Sequence, residues 1–262
     1  MQDKKLIFQF LQTSVFCILF GTGLAHIFGA QPYSQTFDEP HAYQVITGTA
    51  FLMISMICLL PIQKIYRNRL HFVYAIPSIL LLFHSFNTLM TSGYAPEQMV
   101  EHSLKIGLPI LLLLTIEFRN KKTFDAQLIK WLKILTAAAF IGHAVFAIGP
   151  HYVPENFYDM TMTILPLSKD EATVFLLVVG ILDILCAIML FTPLNKFFIY
   201  YLIVWGIVTA IARTWYGLLA TDQLTGPQFL DYAGNTIFRL PHGIIPLLIL
   251  MLEKRKSRNT IA

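Results

Sequence analysis

Eight long runs of apolar residues divide this chain, and no other feature constrains its fold as tightly. They cover residues 6–29, 45–65, 72–91, 104–118, 128–149, 174–191, 197–219 and 237–252. A helix needs ~20 such residues to cross the ~30 Å hydrocarbon layer of a bilayer. The fourth and eighth runs are shorter, and each can borrow an upstream turn, 99–103 and 232–236. Lipid cannot satisfy backbone N–H and C=O groups, so segments that cross it must be helices or barrel strands. Continuous runs without two-residue alternation select helices. Charged residues make up only 13% of the 262, about half the share typical of soluble domains. That is too little charge to cover a soluble surface. The expected fold is therefore an all-α polytopic membrane protein with eight transmembrane helices.

Charge sets the orientation. Fifteen of the nineteen Lys and Arg residues lie at the N-terminus (Lys4, Lys5), between runs two and three (Lys64, Arg67, Arg69), and around the fourth turn (Arg119, Lys121, Lys122, Lys130, Lys133). The rest of the fifteen are Lys196, between runs six and seven, and Lys254, Arg255, Lys256 and Arg258 in the tail. The alternate loops are acidic, with Asp38, Glu39, Glu97, Glu101, Glu155, Asp159, Asp170, Glu171, Asp222 and Asp231. Positive loops stay inside, so an even number of crossings with both termini cytoplasmic is expected. The location this implies is a bacterial inner (plasma) membrane, with the acidic loops in the periplasm. Lys4 and Lys5 followed by an apolar stretch imitate a signal peptide. The run exceeds the ~15 residues of a signal's hydrophobic region, so it is read as a retained span.

The two halves look like copies. Gly48 to Pro61 (GTAFLMISMICLLP) and Gly180 to Pro193 (GILDILCAIMLFTP) share their end residues at equal separation. His26, Pro32, Tyr33 and Phe37-Asp38 parallel His143, Pro150, Tyr152 and Tyr158-Asp159, and Asn68-Arg69 parallels Asn195-Lys196. Lys105 and Arg239 open runs four and eight. An even number of spans per half makes this a parallel repeat, about an axis along the membrane normal. The units are 1–122 and 123–262, expected as two four-helix bundles side by side. The competing reading is that membrane helices resemble one another by composition.

The run Val178 to Phe191 (VVGILDILCAIMLF), with its Gly180-x-x-Asp183 step before small and aliphatic residues, resembles the second helix of DoxX-like membrane proteins. Those proteins are four-helix units, so this chain resembles two in tandem. The first copy departs from the pattern, with Phe51 where the second has Asp183. The resemblance implies a redox-associated membrane subunit, linked to quinone-coupled sulfur oxidation or to thiol redox. Cys17, Cys58 and Cys186 all lie in apolar runs and form no C-x-x-C pair, which weakens the thiol branch.

Ions inside hydrocarbon cost at least ~2.5 kcal/mol near its centre, so they point to function. Asp183 falls mid-span, as do His84 and His143. Arg213, Arg239 and His242 fall in the outer parts of their runs, with His26, Glu101, His102 and Lys105 toward the outer surface. Gathered inside the bundle, they would line an outward-opening cavity with excess positive charge from Lys105, Arg213 and Arg239. Guanidinium groups bind carboxylate, phosphate or sulfur oxyanions through paired donors, and neutral imidazole passes protons near neutral pH. The expected ligand is a small anion or a quinone headgroup. Arg213, Arg239, Lys105, Glu101, His84, His26 and Asp183 would bind it, and His143 and His242 would handle protons. The structural alternatives are that Arg239 snorkels to headgroups, that Arg213 pairs with Asp183 or Glu101, and that the histidines bridge helices.

The loops carrying Tyr33, Phe37, Asp38, Glu39 and His41, and His151, Tyr152, Glu155, Tyr158 and Asp159, are candidate lids, although Tyr and Trp at this depth more often anchor at the interface. Haem held by His26, His84 and His143 is the weaker cofactor reading, behind quinone. No zinc signature, phosphate-binding loop or dinucleotide fingerprint occurs, no metal site is expected, and the basic tail does not imply nucleic acid. Ala137-Ala138-Ala139 with Gly142 permits close helix contact, at the seam between halves or in a homodimer. A partner redox subunit, transport of a small molecule or ion, and a non-catalytic assembly role complete the alternatives.

Overall fold

A computed structural model describes residues 2–29, 40–92, 97–118, 124–149, 153 and 155–261. Among these residues all regular structure is helical: α1 (Gln2–Phe28), α2 (Pro40–Ile57), α3 (Ile62–Arg67), a 3-10 turn (Leu70–Tyr74), α4 (Ala75–Ser92), α5 (Glu97–Glu101) and α6 (Ser103–Phe118). The second half contains α7 (Phe124–Ile148), α8 (Glu155–Ile164), α9 (Lys169–Met189), α10 (Asn195–Ala220), α11 (Gly226–Ile237) and α12 (Pro241–Ile261).

Seven helical stretches are long and apolar enough to cross a membrane: Lys5–Phe28, Leu70–Asn87, Met99–Phe118, Ala126–Ile148, Lys169–Met189, Asn195–Ala220 and Gly226–Arg255. The second apolar run differs from the reading above, because its helix stops at Ile57. Pro61 disfavours helical backbone at Leu60, so hydropathy continues through the proline while the helix restarts as α3. At 18 residues, α2 rises about 27 Å.

The surface has the polarity of a lipid-facing protein. Val174, Val178, Ile181, Leu185 and Ile188 on α9 are exposed, whereas Asp183 on the same helix is buried. Val204, Val208, Ile211 and Trp215 on α10 are likewise exposed. A continuous apolar exterior of this kind is a liability in water and the norm in lipid. The chain has the build of a polytopic helical membrane protein.

The helices interlock. α1 packs along α2, but also along α11 and α12, while α7 packs along α9, and also along α5 and α6. Helices of segments 1–122 and 123–262 thus pack against one another, and residues of both contribute to one core cluster. Contacts in one segment recur in the other at matching spacing. Gly48 on α2 faces Gly23, His26 and Ile27 on α1, and Gly180 on α9 faces Ala144, Ala147 and Ile148 on α7. Gln12 Nε2 donates to the Cys58 carbonyl (3.3 Å), as Lys133 Nζ donates to that of Leu190 (2.8 Å). Gly21 lies against the Phe238 amide and Gly234 carbonyl, and Gly142 against the Glu101 amide and Glu97 carbonyl. Gly142 thus serves a seam within the chain.

Near the far ends of α7, α10 and α12, Glu253 accepts from Lys133 and from Asn195 Nδ2 (2.8 and 2.9 Å). Ser168 with Glu171 and Thr225 with Gln228 form reciprocal capping boxes that start α9 and α11, satisfying free amides that would otherwise be orphaned.

Candidate functional site

Two helix breaks build the site. α5 ends at Glu101 before α6 starts at Ser103, and α11 ends at Ile237 before α12 starts at Pro241. Pro241 opens a new helix, where its missing N–H costs nothing, instead of distorting a continuous one. Arg239 therefore lies in the connecting turn and His242 in the first turn of α12. Close backbone contacts fix both breaks. A Cβ on Gly142 would stand 2.3 Å from the Glu101 nitrogen, and one on Gly206 would stand 2.5 Å from the His242 carbonyl carbon. Only glycine permits approaches this tight.

Glu101, His143, Arg213, Arg239 and His242 line one cavity, together with Phe140, Met160, Trp205 and Thr209. Glu101 Oε1 lies 3.6 Å from His143 Nδ1 and 3.9 Å from Arg239 Nη2. Both are ion-pair separations, too long for hydrogen bonds. Arg239 Nη1 donates to the carbonyl and side-chain oxygens of Asn235, each at 3.3 Å. His242 Nδ1 donates to the Arg239 carbonyl at 2.9 Å. A carbonyl can only accept, so that nitrogen carries a proton, and in the neutral ring Nε2 is the acceptor.

Arg213 has a different environment. Its Nε is buried without a hydrogen-bond acceptor, and its guanidinium lies 5.5 Å from the Phe157 ring centre. Among the described residues it forms no salt bridge with Glu101 or Asp183. Asp183 instead accepts from Tyr201 Oη (3.1 Å) and Trp205 Nε1 (3.4 Å). Lys105 is buried, with Nζ 4.3 Å from the Phe238 ring centre, and the Arg239 guanidinium lies 4.3 Å from the same ring. Two cations thus share one aromatic ring, and Glu101 is the one carboxylate among the described residues lining the cavity.

A second cavity adjoins the first. It runs between α8, α9 and α10 and shares His143, Met160, Trp205 and Thr209 with the polar one. Its other walls are mostly aliphatic and aromatic, with the buried Asp183 among them. Phe157, on α8, packs 5.1 Å from the His143 ring and lines this second cavity.

The expected single gathering of ions thus becomes two groups. His143, His242, Arg213, Arg239 and Glu101 converge, Lys105 stands behind Phe238, and Asp183 faces the adjoining cleft. His26 and His84 line neither cavity; their rings are in edge contact, with centres 5.0 Å apart, beside Phe51. His26 Nδ1 donates to the Thr22 carbonyl at 2.9 Å. Rings this close leave no space for a porphyrin between them, and His143 belongs to the other group, so the haem reading does not fit. His102 contacts Ser85 Oγ at 2.7 Å, in a role that sequence reasoning left undefined.

Of the candidate lids, residues 33–39 and 151–152 lie outside the described residues, as do Arg119, Lys121 and Lys122. Glu155, Tyr158 and Asp159 sit on α8, and His41 is exposed on α2. Trp215 is exposed, and Tyr216 packs edge-on to Tyr232 (6.1 Å), so neither ring lines the cavity. Sequence reasoning overlooked Trp205 and Thr209, although with Arg213 they recur every four residues along one helix stripe. Phe157 and Phe238 carried no distinguishing signal. Compared with known protein families, curated proteins and solved structures, the chain finds no match.

Proposed function

We propose that this protein is a DoxX-like inner-membrane protein that holds a quinone headgroup or small anion in its cationic cavity, in a redox-associated role beside a partner redox subunit. The observation that carries this reading is the charge balance around the cavity. Lys105, Arg213 and Arg239 supply positive charge, and Glu101 answers for one of them. Uncompensated buried charge is costly, and a ligand presenting carbonyl or anionic oxygens lowers that cost. Arg213 and Arg239 donate to those oxygens. His143 or His242 takes or gives the proton, and Glu101 orients His143 from 3.6 Å.

In this reading α2 completes a set of eight crossings, both termini are cytoplasmic, and the chain is a tandem parallel repeat. The matching contacts of Gly48 with Gly180, Gln12 with Lys133, and Gly21 with Gly142 support the duplication. They also shift the expected alignment by about one turn. His26 corresponds to Ala147 in these contacts, and His143 to Thr22, so the two histidines are not equivalent.

The test is direct. Purified protein is extracted for bound quinone and titrated with a short-chain benzoquinone. Binding that disappears in Arg213→Ala supports the proposal, and wild-type protein that binds neither quinone nor a small anion such as butyrate contradicts it. Fusion reporters at each terminus check the orientation.

A second reading is transport of a small anion. Broken helices meeting at a central site, as α5/α6 and α11/α12 do here, are a recurring device in transporters with repeats. Anion flux into liposomes, lost in Arg213→Ala without loss of folding, favours it over the first.

A further inference from the structure

We infer that the ligand is an amphiphile carrying a single apolar chain, which enters from the lipid side and lays that chain in the cleft between α8, α9 and α10. The inference rests on the headgroup reading above and adds the class of molecule to it. The two cavities share the walls formed by His143, Met160, Trp205 and Thr209, so a head among the arginines leads directly into the cleft.

The cleft offers a ligand little to bond with. Thr209 Oγ1 donates to the Trp205 carbonyl at 2.8 Å, and Asp183 is engaged by Tyr201 and Trp205. A wholly soluble anion would gain nothing from such walls, whereas an alkyl or isoprenoid chain fits them. The mouth faces lipid. Val208 and Leu165 both line the cleft and are 49% and 41% exposed, and Val208 continues the apolar exterior of α10 through Val204 and Ile211. Charge complementarity fixes the polarity of the occupant: oxygen acceptors toward Arg213 and Arg239, hydrocarbon toward α9.

The experiment uses full-length protein in nanodiscs and two probe pairs: a tailless dimethoxybenzoquinone against its decyl derivative, and butyrate against palmitate. Wild type is compared with Ala212→Phe, which fills the cleft from α10, and with Val179→Phe, which fills it from α9. All three proteins face the same lipid, so partitioning cancels in the comparison. In a folded variant, affinity for the tailed probe falls about tenfold or more, while affinity for the tailless probe is unchanged. The two pairs separate a quinone head from a carboxylate head. An equal tail preference in wild type and both variants, with tailless binding intact, overturns the inference and leaves the headgroup reading standing. No binding of any probe to wild type overturns both.

Discussion

Gly142 on α7 and Glu101 at the end of α5 meet backbone to backbone, so closely that a Cβ at position 142 would lie 2.3 Å from the Glu101 nitrogen. The carboxylate reaches His143 and Arg239 because the residue beneath it has no side chain. Gly142→Ala must push α5 outward. The expected outcome is a stability loss of ~1–3 kcal/mol with ligand affinity reduced at least tenfold and helix content retained. Thermal unfolding by circular dichroism and ligand titration check it together.

Arg213 separates a binding site from a structural network. Its buried Nε has no acceptor and its guanidinium faces the Phe157 ring, so removing the cation relieves a desolvation cost without breaking a salt bridge among the described residues. Arg213→Ala is expected to leave the melting temperature unchanged or raised while abolishing ligand binding. A large drop in stability would mean that Arg213 holds the bundle together.

Glu101 behaves in the opposite way. Glu101→Gln removes the charge facing Arg239 and His143 and leaves Arg213 and Arg239 without a carboxylate among the described residues lining the cavity. It is expected to destabilise the ligand-free protein by ~1–3 kcal/mol, with part of that loss recovered by saturating anionic ligand. Melting curves with and without ligand measure both effects.

Asp183 is the acceptor for two buried donors. Asp183→Asn keeps one oxygen for Tyr201 or Trp205 and should cost less than Asp183→Leu, which strands both, at ~1–3 kcal/mol. The leucine variant should also shift the Trp205 fluorescence. Equal melting temperatures for the two variants would argue against this role.

Glu253 serves as the control. It gathers Lys133 and Asn195 at the end of α12 away from the cavity. Glu253→Ala is expected to lower stability without altering the affinity of ligand for the folded protein, as read by titration below the melting transition.

The sequence was most informative where lipid imposes a rule. Seven of the eight apolar runs form helices long enough to cross, because hydrocarbon permits little else. The exception is α2, which ends at Ile57, short of Pro61, where hydropathy and backbone preference disagree. Arg213, Arg239, His143 and His242 stood out because buried charge is expensive, and they do line one cavity. The separation of His26 and His84 from that cavity was not legible. It depends on which face of α1 meets α4, and residue type does not report a helix's rotation. The approach of α5 to α7 was hidden for a related reason. Gly142 reads as an ordinary small residue until its cross-chain neighbour is known.

The crossing of α1 and α7 into each other's segments has a genetic consequence. A gene cut between α6 and α7 would yield two products, each with half of the socket wall missing: one keeps Glu101 without His143, the other His143 without Glu101.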